Sequence, residues 1–254
     1  MRRLLPVILL LLATVGAVSA ARAEPFRFTA APRCPHACPD LPGQGDLVAT
    51  IRQVFLAAGA DISIEFLPWQ RAVATAAHDP AIAGYLVDDG SVMSGFTLSP
   101  PLMAGTLGLA VRHGGEQHDV SPAGLKGVSL AVLAGHALTP ALDGAIVGRR
   151  IAAYAVDDDA TMLRMVAAGR LDAAVIDADV FAWQLRNMVG LAPARDLLVF
   201  NPVVLGRKTL HVAFAGSAVG RRAQMAFSAG EALQELSPLQ VSQLLGADAS
   251  LRLR

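Results

Sequence analysis

Residues 169–180 read GRLDAAVIDADV. Glycine and arginine open the stretch, an apolar run fills it, and the run stops on Asp177 and Asp179. A short apolar run bounded by turn signals is how a strand covered on both faces reads. It lies between two helical patterns. DDDATMLRMVAAGR at 157–170 starts on acids, where the helix dipole favours them. DVFAWQLRNM at 179–188 begins the second. A helix, a buried strand and a helix in succession point to an α/β domain with a mainly parallel sheet.

The same order extends outward. GLKGVSLAVLAG (124–135) reads as a strand ending in a glycine turn, and RIAAYAV (150–156) as another strand. Between them TPALDGAIVG (139–148) reads as a helix with Thr139 at its start and Pro140 at the first position. Nearer the N-terminus, EPFRFTAA (24–31) alternates apolar and polar residues as a strand does, and CPHACPDLPGQG (34–45) reads as a loop. In DLVATIRQVFLAAGA (46–60) the apolar residues fall at helical spacing, with Asp46 as the expected cap and Gly59 as the stop. DISIEFLPW (61–69), QRAVATAAH (70–78) and AIAGYLVDD (81–89) predict a strand, a short helix and a strand. TLGLAVR (106–112) and KTLHVAFAG (208–216) read as further strands, and GRRAQMAFSAGEALQEL (220–236) and SPLQVSQLLG (237–246) as terminal helices.

The N-terminus carries two arginines, an apolar run of about 14 residues and then small residues, the layout of a secretory leader. Cleavage is expected after Ala23, with Ala20 as the alternative. The run is shorter than the ~20 residues a membrane span needs, which argues against the rival reading as an anchor. Without the leader 231 residues remain, with 18 basic against 21 acidic side chains and a net charge of −3. No basic stripe appears, so a nucleic-acid partner is not expected. Cys34 and Cys38 are the two cysteines. In an exported chain the even count favours a disulfide. Free thiols, or a metal held by Cys34, His36 and Cys38, are the rival readings.

The ordered set of segments resembles the periplasmic solute-binding proteins of the polar amino-acid class, which have the type II periplasmic-binding fold. The likeness rests on GDLVATIRQVFLAAGADISIEFLPWQRAVA (45–74), FTLSPPL (96–102), LGLAVR (107–112), LKGVSLAVLAG (125–135), GRLDAAVID (169–177) and LHVAFAGSAVGRRAQMAFSAGEALQEL (210–236). It implies two α/β lobes joined by two crossing strands near 106–112 and 206–214. The first lobe would hold 24–108 and 212–254, and the second 109–211. It also implies a soluble periplasmic monomer that takes a small polar ligand and passes it to an ABC permease. A soluble sensor or accessory binding protein for a signalling or redox system is the alternative. An enzyme of the dehydratase kind is a more distant one, and neither a catalytic role nor a cofactor is expected.

By the resemblance, Asp177 sits at the cleft and holds the ligand's ammonium group. The competing reading makes it only a helix cap, although Asp179 is the more natural cap. Asp177→Ala is then expected to weaken a cationic ligand and leave folding intact. Trp69 would wall the cleft or pack inside its lobe, and Arg71 would contact ligand or structure. Phe96 and Ser99 would lie at the interlobe edge. Gly135, His136 and Thr139 would offer an anion-binding helix start, with His136 otherwise a surface residue. The loop at 36–40 would face the cleft, and the acids at 157–159 would form a solvated helix start. Two departures weaken carboxylate recognition. The stretch DDGSVMSGFTLSPP (88–101) lacks the arginine that amino-acid binders carry before the Phe-x-x-Ser-Pro step, and GHAL (135–138) replaces a Gly-Ser/Thr turn. A standard α-amino acid is therefore a poor candidate ligand.

Overall fold

The computed structural model describes residues 24–87, 92–114, 124–136 and 138–235, without the side chains of 202–204 and 235. The leader, the acids at 88–89 and the last predicted helix lie outside the described residues.

The sheet runs β2–β1–β3–β9–β5–β8–β6–β7, with β4 paired to β9. Its first part is β1 (Phe26–Ala30), β2 (Ile62–Phe66) and β3 (Ile82–Val87), all parallel. Helix α1 (Asp46–Ala57) and the long helix α6 (Ala218–Glu235) cover one face. Phe28, Phe55, Phe214 and Phe227 interlock there, with ring centroids 5.4–6.1 Å apart. All four rings are buried, and removing one such ring costs about 3–5 kcal/mol. Helix α2 (Trp69–His78) covers the other face through Val73 and Ala76, against Ile82 and Tyr85. Strand β3 is buried along its whole length because it has a helix on each side.

The second part holds β6 (Ser129–Leu133), β7 (Ala152–Val156) and β8 (Ala173–Asp177), also parallel. Helix α3 (Pro140–Val147) packs on one face through Leu142 and Ala145. Helices α4 (Asp159–Ala167) and α5 (Ala178–Asn187) pack on the other through Met162, Leu163, Val180 and Phe181. The opening stretch of the sequence is thus a fully buried strand, β8, ending at Asp177.

Two long antiparallel strands join the parts, β5 (Met103–Arg112) and β9 (Leu198–Ala215). β9 meets β3 at His211–Phe214, and β5 meets β8 at Leu107–Val111. Between these regions the β5–β9 register shifts, from Leu107 opposite Gly206 to Leu109 opposite Asn201. Pro202 follows Asn201 at the edge of the shift, the kind of irregularity at which a strand tolerates proline. From sequence this strand is expected over 208–216, within a crossing segment near 206–214; the structure starts it at Leu198. The short strand β4 (Phe96–Leu98) has no sequence counterpart beyond the Phe-x-x-Ser-Pro step.

Two expected caps are corrected. Gly45 is the residue before α1, and Asp46 is its first helical residue. Asp177, not Asp179, caps α5: its Oδ1 accepts the amides of Asp179 at 2.9 Å and Val180 at 3.3 Å. Thr139 caps α3, as its position before Pro140 predicts. No described helix is long and apolar enough to cross a membrane.

Candidate functional site

The loop after β1 carries the first side of the site. Cys34 and Cys38 form a disulfide with Cα atoms 4.7 Å apart, which settles the cysteine alternatives. His36 sits inside that small ring. Its carbonyl accepts the amides of Leu47 and Val48, so it closes the start of α1. Its Nδ1–H donates to Asp46 Oδ1 at 2.9 Å. Those contacts bury His36 to 3% exposure and aim Nε2 toward the second lobe.

Asp177 meets it there, with Oδ1 3.7 Å from His36 Nε2. That distance is a charge contact rather than a hydrogen bond. Lys208 Nζ approaches the other oxygen, Oδ2, also at 3.7 Å. Asp177 is fully buried and Lys208 is 7% exposed. Burial pushes the Asp177 carboxyl up, but His36, the Lys208 charge and the Val180 amide outweigh it and hold the pKa below 3.8. Burial pushes the His36 imidazole down, but Asp177 and Asp46 outweigh it and hold the pKa above 6.5. Asp46, His36, Asp177 and Lys208 thus alternate in charge across the junction.

A second ion pair crosses nearby, Arg33 to Asp159 at 3.6 Å, with both side chains largely buried. Only part of the 157–159 run is therefore a solvated helix start. Asp158 caps α4 through the Thr161 amide at 2.8 Å, while Asp159 turns inward.

At the rim the bridge is aromatic. Trp69, the first residue of α2, donates from Nε1 to the Gly135 carbonyl at 2.9 Å. Gly135 has φ +76°, a conformation suited to glycine, and presents that carbonyl outward. His136 lies against the indole, with centroids 4.7 Å apart and planes tilted by 32°. Tyr85 meets the indole edge-on at 5.9 Å, and Phe96 backs Tyr85 at 4.9 Å.

Trp69 divides two spaces. The inner one, reaching His36, Arg33 and His136, holds about 30 Å³, room for little more than a water. The outer groove holds about 420 Å³, walled by Trp69, Val73, Tyr85, Met93 and Gly135. That volume suits a small solute.

The expected site residues divide accordingly. Trp69 and His136 meet at the rim, with His136 half-buried against Trp69 rather than on the open surface, while Asp177 lies apart from them, buried against His36. Phe96 supports the groove from behind. Ser99 is spent on structure: its hydroxyl donates to the Pro100 carbonyl and accepts the Val212 amide, and its carbonyl takes the His211 ring. Thr139 Oγ1 accepts the Leu142 amide at 3.3 Å. The α3 start also holds an internal acid, since Asp143 accepts the Leu138 amide at 3.2 Å. Arg71 is exposed on α2 and lines neither space.

His36, Asp177 and the exposed Asp179 bring donor atoms within 4.8 Å of one another. Lys208 beside Asp177 sets a positive charge against a divalent ion there. Sequence reasoning missed Arg33, Asp159 and Lys208. Gly105, just before the strand read at 106–112, lies inside it in the structure and there permits the close approach of Asp177 and Lys208.

No family model matches the chain, and no curated protein matches it. Solved structures do. A histidine kinase sensor domain with similarity to periplasmic binding proteins is 15% identical, with 91% of this chain and 95% of that one covered and a TM-score of 0.66. The GluR0 ligand-binding core from Nostoc punctiforme, in complex with L-glutamate, is 16% identical, with 82% and 97% covered and a TM-score of 0.61. Holo ArgBP from T. maritima is 18% identical, with 85% and 93% covered and a TM-score of 0.60. At these identities the likeness establishes the fold: two α/β lobes of the periplasmic-binding-protein type II kind.

Proposed function

We propose that the chain is an exported, monomeric solute receptor of the periplasm that captures a small polar ligand between its lobes and delivers it to an ABC permease. One observation carries the reading. Trp69 belongs to the first lobe, bonds to the second, and forms the wall of a 420 Å³ groove. A solute in that groove would lie along the first lobe and touch the second at Gly135, beside the Trp69 bond, and its binding would favour the closed arrangement over an open one. The hinge is placed in the crossing strands at 106–112 and 206–214, between a first lobe of 24–108 and 212–254 and a second of 109–211. The shift in the β5–β9 register supports that placement. No covalent step and no cofactor is required.

The sensor reading is kept as the second proposal, because one similar structure is a histidine kinase sensor domain. It uses the same cleft and differs only in the partner. Asp177 is fully buried with Lys208 and His36 beside it and lines neither space, so a solute in the outer groove does not reach it in this arrangement.

A thermal-shift panel of amino acids, amines, small carboxylates and sugars tests the capture. One chemical class should raise the melting temperature saturably, because binding to the native state stabilises it by mass action. No shift with any class, together with no small molecule co-purifying by native mass spectrometry, would contradict the receptor reading.

A further inference from the structure

We propose that the outer groove takes an uncharged aromatic solute whose polar edge carries an N–H group. The proposal rests on the receptor reading and names the solute class for that same groove.

The groove is built from apolar side chains that the fold leaves uncovered. Val92 and Met93 are 40% and 49% exposed and line it together. Across from them α2 contributes Ala74 and Ala77, both exposed and too short to fill the space. Residues three apart share one helix face, so the two alanines make a flat floor. A flat ring fits such a floor, and a methionine wall adapts to it through a soft sulfur that packs well on aromatic rings. Trp69 adds an indole for the ring to pack on. No Lys, Arg, Asp or Glu lines the groove among the described residues. A charged solute would shed water there without gaining an ion pair, which is costly. A cation cage would turn several ring faces to one point. Here Tyr85 meets the indole edge-on and is 1% exposed, so the indole is the main ring a solute meets. The polar atoms on offer suit a donor. Trp69 Nε1–H is spent on the Gly135 carbonyl, and the Tyr85 hydroxyl accepts the Met93 amide at 3.3 Å. His78 donates from Nδ1–H to the Ala74 carbonyl at 2.8 Å, which makes Nε2 the acceptor of that ring. Gln70, exposed on the same helix and lining the groove, adds an amide oxygen.

Benzamide is the probe, a neutral flat ring with one N–H-bearing edge. Benzoate and benzylammonium change its charge, and cyclohexanecarboxamide keeps its edge but loses the flat ring. Kd values come from ligand-observed NMR titrations of the purified wild type, Ala74→Leu and Met93→Ala. Benzamide should bind the wild type about tenfold tighter than each control. Ala74→Leu puts a bulkier side chain of high helix propensity on an exposed floor position. It should weaken benzamide about tenfold while the melting temperature stays within about 2 °C of wild type. Met93→Ala should weaken benzamide about fivefold. A merely structural role would move the melting temperature and leave the order of the four probes unchanged. No benzamide binding, a charged control as tight as benzamide, or full affinity in both variants overturns the proposal. So does a concentration-dependent dimer that Ala74→Leu abolishes, which would give the groove to a second copy of the chain. If benzamide fails while a charged solute from the thermal-shift panel binds wild type and Ala74→Leu alike, this proposal falls and the receptor reading stands.

Discussion

The lobes are bridged twice, at the hinge side of the cleft and at its rim, and the two bridges are made of different materials. On the hinge side the contacts are charges shut away from water: His36 on Asp177, with Lys208 of the crossing strand beside the same carboxylate, and Arg33 on Asp159. At the rim an indole donates one hydrogen bond and stacks on an imidazole beside an open groove. Buried charge contacts are strong only while every partner is present, because a lone buried charge is penalised. A half-exposed ring exchanges one apolar neighbour for another at small cost. The hinge side therefore belongs to the fold, and the rim is where a solute can be taken up.

That contrast breaks most easily at Asp177. Asp177→Ala removes a helix cap and takes away the carboxylate that His36, which keeps Asp46, and Lys208 share. We expect a loss of about 3–5 kcal/mol of stability, measured by urea denaturation. This reverses the expectation from sequence that folding would stay intact, because the side chain is fully buried and caps α5. A loss below about 1 kcal/mol, the scale of an exposed pair, would place the hinge-side charges in water.

Acidity sharpens the comparison. The His36 pKa lies above 6.5, so its contribution to stability is whole below 6.5 and is lost as pH rises through the raised value. The Asp177 pKa lies below 3.8, so its contribution is whole above 3.8 and is lost as pH falls through the lowered value. The hinge-side bridge is strongest between 3.8 and 6.5. A melting-temperature profile should fall on the alkaline side, and His36→Gln should flatten that limb. An unchanged limb in the variant would assign the fall to other groups.

At the rim the effects are smaller. Trp69→Phe keeps a ring and deletes the bond to Gly135, so it should cost about 0.5–1.5 kcal/mol and weaken the solute found by the panel. Stability and affinity both at wild-type values would remove Trp69 from the cleft. Arg71→Ala should change neither, since Arg71 faces solvent on α2.

Much of the fold was legible in the sequence because it is written locally. Apolar spacing marks α1, α4 and α5, Thr139-Pro140 marks the start of α3, and the unbroken run before Asp177 marks a doubly covered strand. The start of β9 was not legible, because Pro202 and Gly206 break the local pattern where the register shifts. Of the site, Asp177, Trp69 and His136 could be named in advance through the family resemblance. Arg33, Asp159 and Lys208 could not, because their partners lie far away along the chain and no period connects them. Lys208 follows Arg207 at the head of an apolar strand and reads there as a solvated charge. Asp159 is hidden the same way in a run of three acids.

Capture between two lobes is the central claim, and hydrogen–deuterium exchange with the panel's ligand tests it most directly. Bound ligand should slow exchange on both sides of the cleft together, around 33–38 and 69–87 in the first lobe and around 133–136 and 177–180 in the second. Protection confined to one lobe, or found away from both sets, would contradict it.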